Sequence, residues 1–189
     1  MKKLMMGLAL AAAMCVSAEM KVGTVNMVDL VRLHPNHESN RALVKSTDTD
    51  YKDKLEKMQD GIKAIMEEGK KIQQDMTSPM LSQAAKADAQ KKLEGIQQRY
   101  IQQQQELRNA AQTFQGQLAE LETRLLKLET EGIRKAITEY AKAKGFDIIA
   151  DSTMLAFSKD SLDVTDDILR AMKVDPAKRH EKKKDEKKK

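Results

Sequence analysis

Residues 51–76 read YKDKLEKMQDGIKAIMEEGKKIQQDM, and the spacing of their apolar positions decides the fold. Those positions step by four and three: Tyr51, Leu55, Met58, Ile62, Ile65, Gly69, Ile72 and Met76. Apolar residues about 3.5 positions apart make a narrow seam along one side of a helix. Farther on, a second line steps by seven through Leu93, Tyr100, Leu107, Phe114, Leu121 and Leu128. A helix with only a seam cannot bury it alone, so each line needs a partner helix. Thr77-Ser78-Pro79 separates them, and proline ends a helix because it lacks the N–H and clashes with the preceding turn. The pattern predicts a long antiparallel helical hairpin, a coiled-coil arm, over residues 38–144 with its tip near 77–81.

Both flanks of the arm look different. KVGTVN at 21–26 is β-branched and predicts a strand, and Met27 to Leu33 allows two helical turns before Pro35. Asn36 and Ser82 stand where the two arm helices would be capped, and Gly145 where the second would stop. FDIIA at 146–150 predicts another strand. MLAF at 154–157 predicts a further short strand after a turn at Asp151-Ser152-Thr153, giving a hairpin. A last helix is expected near Asp163 or Thr165, with Asp166 and Asp167 in the first turn, where the helix dipole favours acids. The expected fold class is α+β, mostly α, with the arm set on a small β body built from 19–37 and 145–174. The second arm helix is the longer one, so its base must pack in that body. The candidate body residues are Val22, Val25, Ile148, Ile149, Leu155, Phe157, Ile168 and Leu169.

The termini bound the compartment. Lys2 and Lys3 precede an apolar run from Leu4 to Val16, too short for the roughly 20 residues of a bilayer span. Val16-Ser17-Ala18 then offers small residues for cleavage, so 1–18 is expected to be a secretory signal peptide and the mature chain periplasmic. Cys15, the single cysteine, would leave with it, which suits an oxidising compartment. The net charge of +5 is local: the last twelve residues hold eight of the 34 basic and three of the 29 acidic side chains. The rest of the chain balances at 26 of each sign. With no apolar residue beyond Ala177, the Lys-rich tail over 175–189 is expected to be disordered.

Composition argues against chemistry. Aromatic residues make up 3%, tryptophan is absent and 33% of residues are charged, which suits long helices better than a large core. His34 and His37 flank Pro35 but bring no third metal ligand, and His180 lies in the tail. No nucleophile set and no phosphate-cradling glycine loop is present, so neither an enzyme nor a cofactor is expected. Nucleic acid is not an expected partner either, because no aromatic platform accompanies the lysines. Met66, Met80 and Leu81 lie off the seam near the tip and are candidates for contact with a partner, since methionine adapts to varied surfaces. Met58 and Met76 sit in register and are expected to fill the seam. Gly61, Gly69, Gly95 and Gly116 each cost about 1 kcal/mol in a helix, and serve either to soften the arm or to permit close packing.

Val25-Asn26-Met27, the long hairpin, DIIADSTMLAF at 147–157 and DVTDDILRAM at 163–172 together resemble the Skp/OmpH family of periplasmic chaperones. The resemblance runs through nearly the whole mature chain up to Lys173. It implies a homotrimer in which strands from three chains close a small barrel and three arms surround a cavity. It further implies that unfolded outer-membrane proteins are held there without ATP. The chain departs from the family in its arm, which is nearly charge-balanced rather than strongly basic. Lys86, Lys91, Lys92 and Arg99 match a lipopolysaccharide site suggested for the family only by general position. The alternative reading is a periplasmic coiled-coil structural spacer whose basic tail contacts the membrane or the cell wall. The tail acts as a solubilising segment, or as a weak contact to anionic lipid or to acidic segments of clients.

Overall fold

The computed structural model describes residues 20–186; the expected signal peptide and the last three lysines lie outside them. The chain runs β1 (Val22–Val25), α1 (Met27–Arg32), α2 (His37–Met76), α3 (Gln83–Lys144), β2 (Ile148–Asp151), α4 (Thr165–Ala171) and α5 (Ala177–Glu186). Two single 3-10 turns, Ser152–Met154 and Asp160–Leu162, fill the stretch between β2 and α4.

The arm is α2 against α3. At 1.5 Å per residue, their 40 and 62 residues extend about 60 and 93 Å. The antiparallel register is marked along its length. An added β-carbon at Gly69 would lie 3.3 Å from Ile96 Cγ2, Glu68 pairs with Arg99 at 2.7 Å, and Tyr51 stacks on Phe114 with centroids 4.4 Å apart. At the root, Asn40 meets Glu129 at 2.7 Å. Beyond that point α2 has ended, and α3 continues into the body. Ser82 Oγ accepts from Ala85 N at 3.2 Å, so the cap of α3 is made as the sequence suggests. Gly145, at φ 68°, ends the helix, and Phe146 N donates back to the Ala141 carbonyl at 2.9 Å. Asn36 stands at the cap position of α2 but its side chain makes no capping bond; its backbone is already helical.

The body has one two-stranded sheet. β1 and β2 are parallel, with Val22 opposite Ile148 and Val25 opposite Asp151. Parallel neighbours need a crossover, and here the crossover is the entire arm. Gly23 is required by packing, because a β-carbon there would sit 2.9 Å from the Phe146 ring. Val164 N donates to the Thr24 carbonyl at 2.8 Å, so β1 is met by a second segment as well. Val25, Leu30, Ile133, Ile168 and Leu169 form the buried core, drawn from β1, α1, α3 and α4. Met27, Ile137, Tyr140 and Ile149 pack against it.

Three expectations are corrected. The strand expected over 154–157 does not form. Ser152–Met154 is a 3-10 turn held by Asp151, whose Oδ1 accepts from Thr153 N at 3.0 Å, and Phe157 is 80% exposed. Apolar content there serves an exposed surface, not a ladder. Leu128 is not in the seam but 58% exposed. A seven-residue step falls about 20° short of two full helical turns, so five steps from Leu93 carry the line about 100° around a straight helix. Four-residue steps take over at the root: Leu121, Leu125, Glu129, Ile133. Finally, the tail is not disordered from 175. It turns at Asp175, whose Oδ1 accepts from Ala177 N at 2.9 Å, and forms α5.

Candidate functional site

Among the described residues, three regions carry chemistry that the fold alone does not explain. The first is the outer half of the arm. Ile62 and Ile96 are buried between the helices, while Leu55, Met58, Ile65, Ile72, Leu93, Tyr100 and Leu107 are half-buried along the same line. A seam with no third layer leaves most of its positions only half-covered. Beside it runs a groove of about 390 Å³ that includes Met66, Gly69, Lys70, Leu93 and Ile96. Met66 lies exposed on its wall, Met80 is 94% exposed at the tip, and Leu81 is half-buried. The candidate contact residues therefore divide: Met66 and Met80 are free to meet another molecule, and Leu81 is partly used at home. Within the glutamine run, Gln104 Nε2 donates to Tyr100 Oη at 2.8 Å, and Gln102 and Gln103 both donate to Glu106. The tract is an ordinary helix face. The four arm glycines also divide, since only Gly69 faces a neighbour; Gly61, Gly95 and Gly116 face open space.

The second surface is the arm root. Glu129 is 4% exposed and sits where the seam would place an apolar side chain. Burying a carboxylate is costly without partners. Asn40 Nδ2 donates to its Oε1 at 2.7 Å, and His37 Nδ1 lies 3.2 Å from its Oε2. Nearby, His34 Nδ1 accepts from Asn36 N at 3.2 Å. The His34 imidazole has a lowered pKa, chiefly from burial, with His37 adding and Glu129 opposing. Among the described residues no group of three or more histidine, cysteine or acidic side chains is arranged to hold a metal. An open groove of about 590 Å³ lies alongside, lined in part by Val44, Leu118, Leu125 and Leu126.

The third surface is the body. Of the candidate body residues, Val25, Ile168 and Leu169 are buried in the core and Ile149 packs on it, with Val22 half-buried. Ile148, Leu155 and Phe157 are not brought into that core; they lie exposed, as do Val28 and Met154. A single chain therefore leaves the outer edge of β2 and an apolar surface open together. Tyr140 ties α3 to α4 by donating to Asp167 Oδ2 at 2.8 Å; burial first, then that bond, pushes its hydroxyl up to about 12.

Sequence reasoning missed Glu129 and Arg179. Glu129 was legible only by switching from seven-residue to four-residue steps at the root. Arg179 is 5% exposed and bonds three carboxylates: Asp29 at 2.9 Å, Asp163 at 2.7 Å and Asp166 at 3.0 Å. Burial works against its charge, yet these bonds raise its pKa. Burial alone would raise Asp163 and Asp166; the bonds from Thr165, Arg179 and His180 outweigh it and hold both below the usual range. The only signal was one arginine among lysines, following D-V-T-D at 163–166.

A family model described as Outer membrane protein (OmpH-like) matches residues 21–172. A Chaperone protein Skp of Pectobacterium atrosepticum is 24% identical over 168 residues, covering 89% of this chain and 94% of that protein. A Chaperone protein Skp of Yersinia enterocolitica is 23% identical over 175 residues, covering 92% of this chain and all of the relative. No described helix is long and apolar enough to cross a membrane.

Proposed function

The chain belongs to the OmpH-like family, and on that premise we propose that it is a periplasmic chaperone, an ATP-independent holdase for unfolded outer-membrane proteins. Three copies join through the body, and three arms enclose a cavity in which the client is held. The observation that carries this reading is the arm itself. It is a two-helix hairpin with a half-buried seam, and Met66 and Met80 stand exposed beside a shallow groove. Such a surface offers many weak apolar contacts and no deep pocket, so it delays self-association of an unfolded chain without fixing its conformation. Three arms acting together add avidity. The exposed Ile148, Leu155 and Phe157 beside a two-stranded sheet support joining of copies through the body.

The test is light scattering after a urea-unfolded outer-membrane β-barrel protein is diluted into buffer without ATP. Suppression near three chains per client is expected. Undiminished scattering across a wide excess overturns the holdase and favours the coiled-coil spacer. The basic C-terminal segment adds weak contact with an anionic surface in either reading.

A further inference from the structure

Where the arm meets the body, two struts hold it. α3 runs straight through from one to the other. α2 reaches the body through the turn His34-Pro35-Asn36, which joins it to α1, and α1 is fixed to the core by Leu30. The turn is closed twice. His37 N donates to the His34 carbonyl at 2.9 Å, and Asn36 N donates to His34 Nδ1 at 3.2 Å. The same ring rests on α3, where a β-carbon added at Gly132 would lie 3.3 Å from Nε2. One imidazole thus touches the end of α1, the start of α2 and the side of α3.

The two histidines of this turn need their protons on opposite nitrogens. To accept from Asn36, His34 Nδ1 must be bare, so the neutral ring carries its proton on Nε2. His37 Nδ1 lies 3.2 Å from Glu129 Oε2, and an ionised carboxylate only accepts, so His37 carries its proton on Nδ1. A second proton leaves the His37 contact intact and adds charge to it. At His34 a second proton sets N–H against N–H and puts a cation on a half-buried ring. Acid therefore keeps α2 pinned to α3 while it unties α2 from α1.

We infer that His34 is a proton-released brace of the arm: neutral, it locks the α1–α2 turn and seats α2 as the second strut; protonated, it frees the turn and leaves the arm carried by α3 alone. Burial lowers the pKa of this ring below 6.5, with Glu129 opposing and His37 adding. Lys135 and Glu139 of α3 line the same hollow with opposite charges, and the end of α4 adds Met172, which carries none. His37 shares its surroundings with Glu129 of α3, Arg32 of α1 and Asp151 of β2, and Arg41, Lys45, Asp48 and Glu122 line the groove beyond. Because the folded pKa of His34 is lowered, the brace is complete above about pH 6.5. It weakens as the pH falls below that and is lost once the pH passes the lowered value. With α2 about 60 Å long, a root tilt of about 10° carries the tip about 10 Å. The effect on a cavity between arms rests on the trimer proposed above; the brace does not.

The test uses the full mature protein labelled with 15N, whose three histidines give three ring signals by magnetic resonance. At neutral pH the His34 ring is expected as the Nε2–H tautomer and the His37 ring as Nδ1–H, with His34 taking its second proton below pH 6.5. From about pH 7.5 to about pH 5, amide exchange at Asn36, corrected for its intrinsic pH dependence, should speed about tenfold or more. The amide of Ile133, in the core, should change by less than about twofold. His34→Asn sets a non-titrating acceptor near the place of Nδ1 and should keep Asn36 protected throughout. His34→Phe has no acceptor and should exchange fast throughout. A neutral His34 with its proton on Nδ1, a midpoint at or above 6.5, or a pH step that survives in H34N overturns the brace. Spin labels on Ala84→Cys, near the tip, read the spread of the arms. Tip-to-tip distances should broaden by about 10 Å in acid for the otherwise wild-type protein and stay narrow with H34N. An exchange step with no dipolar signal between copies removes the trimer and leaves the brace standing. A distance distribution that keeps its width through the exchange step overturns release of the arm.

Discussion

Leu107 and Ile133 lie on the same helix and meet different worlds. Ile133 is fully enclosed by α1, β1 and α4, whereas Leu107 is half-covered by the single partner helix that the arm provides. The body closes around its apolar residues with several elements of different direction. The arm repeats one pairwise contact, so along its apolar seam only Ile62 and Ile96 are buried and the rest stay half-covered. Stability is therefore concentrated at one end of α3, and adaptability at the other.

Truncating the body core should separate the two regions most sharply. Ile168→Ala or Leu169→Ala should cost about 2–5 kcal/mol in urea unfolding, because both side chains are fully buried. Leu107→Ala should cost clearly less. Equal penalties would break the contrast.

R179Q comes next, at about 1–3 kcal/mol, discounted because Asp163 and Asp166 remain near 30% exposed. Their folded-state pKa values are lowered, so the stabilisation is complete above about pH 4 and is lost as the pH falls through those lowered values. Wild-type melting temperature should drop more steeply than that of R179Q between pH 5 and pH 2. Parallel curves would mean the three bonds of Arg179 add nothing.

The arm root tests whether the boundary is polar by design. Glu129→Ala strands Asn40 and His37 and should cost about 1–2 kcal/mol, with faster amide exchange near 125–133. Glu129→Gln keeps an acceptor for Asn40 and should lose less.

The smallest effects belong to the arm surface. Gly61→Ala, Gly95→Ala and Gly116→Ala should each stabilise by up to about 1 kcal/mol, since a β-carbon there meets nothing. Gly69→Ala should gain little, because Ile96 stands 3.3 Å away. If the open glycines soften the arm, the triple variant should also narrow the range of client sizes held. Met80→Gln should leave the melting temperature unchanged and weaken client retention modestly.

The arm was legible because its physics is periodic: a seam against one partner writes itself into the sequence at fixed spacing. Its cap at Ser82, its stop at Gly145 and its turn at Pro79 are local rules and were legible too. The body was legible in composition but less so in geometry. The apolar run at 154–157 looked like a strand, yet what an apolar side chain faces and what its backbone pairs with are separate questions. Leu128 misled because a seven-residue step accumulates angular error that only a supercoil would absorb. The tail misled because average composition predicts average behaviour, and one arginine with three well-placed carboxylates overrides it.

Because β1 and β2 are adjacent and parallel, everything between Val25 and Ile148 is an excursion that leaves the sheet and returns to it. The body sees only where that excursion begins and ends. Matched deletions of seven residues from α2 and α3 would draw the tip in by about 10 Å and leave the register intact. The entropy of closing so long a loop changes only logarithmically with its length. Reach is thus an adjustable dimension of this fold, one that can lengthen or shorten across generations without asking the core to repack.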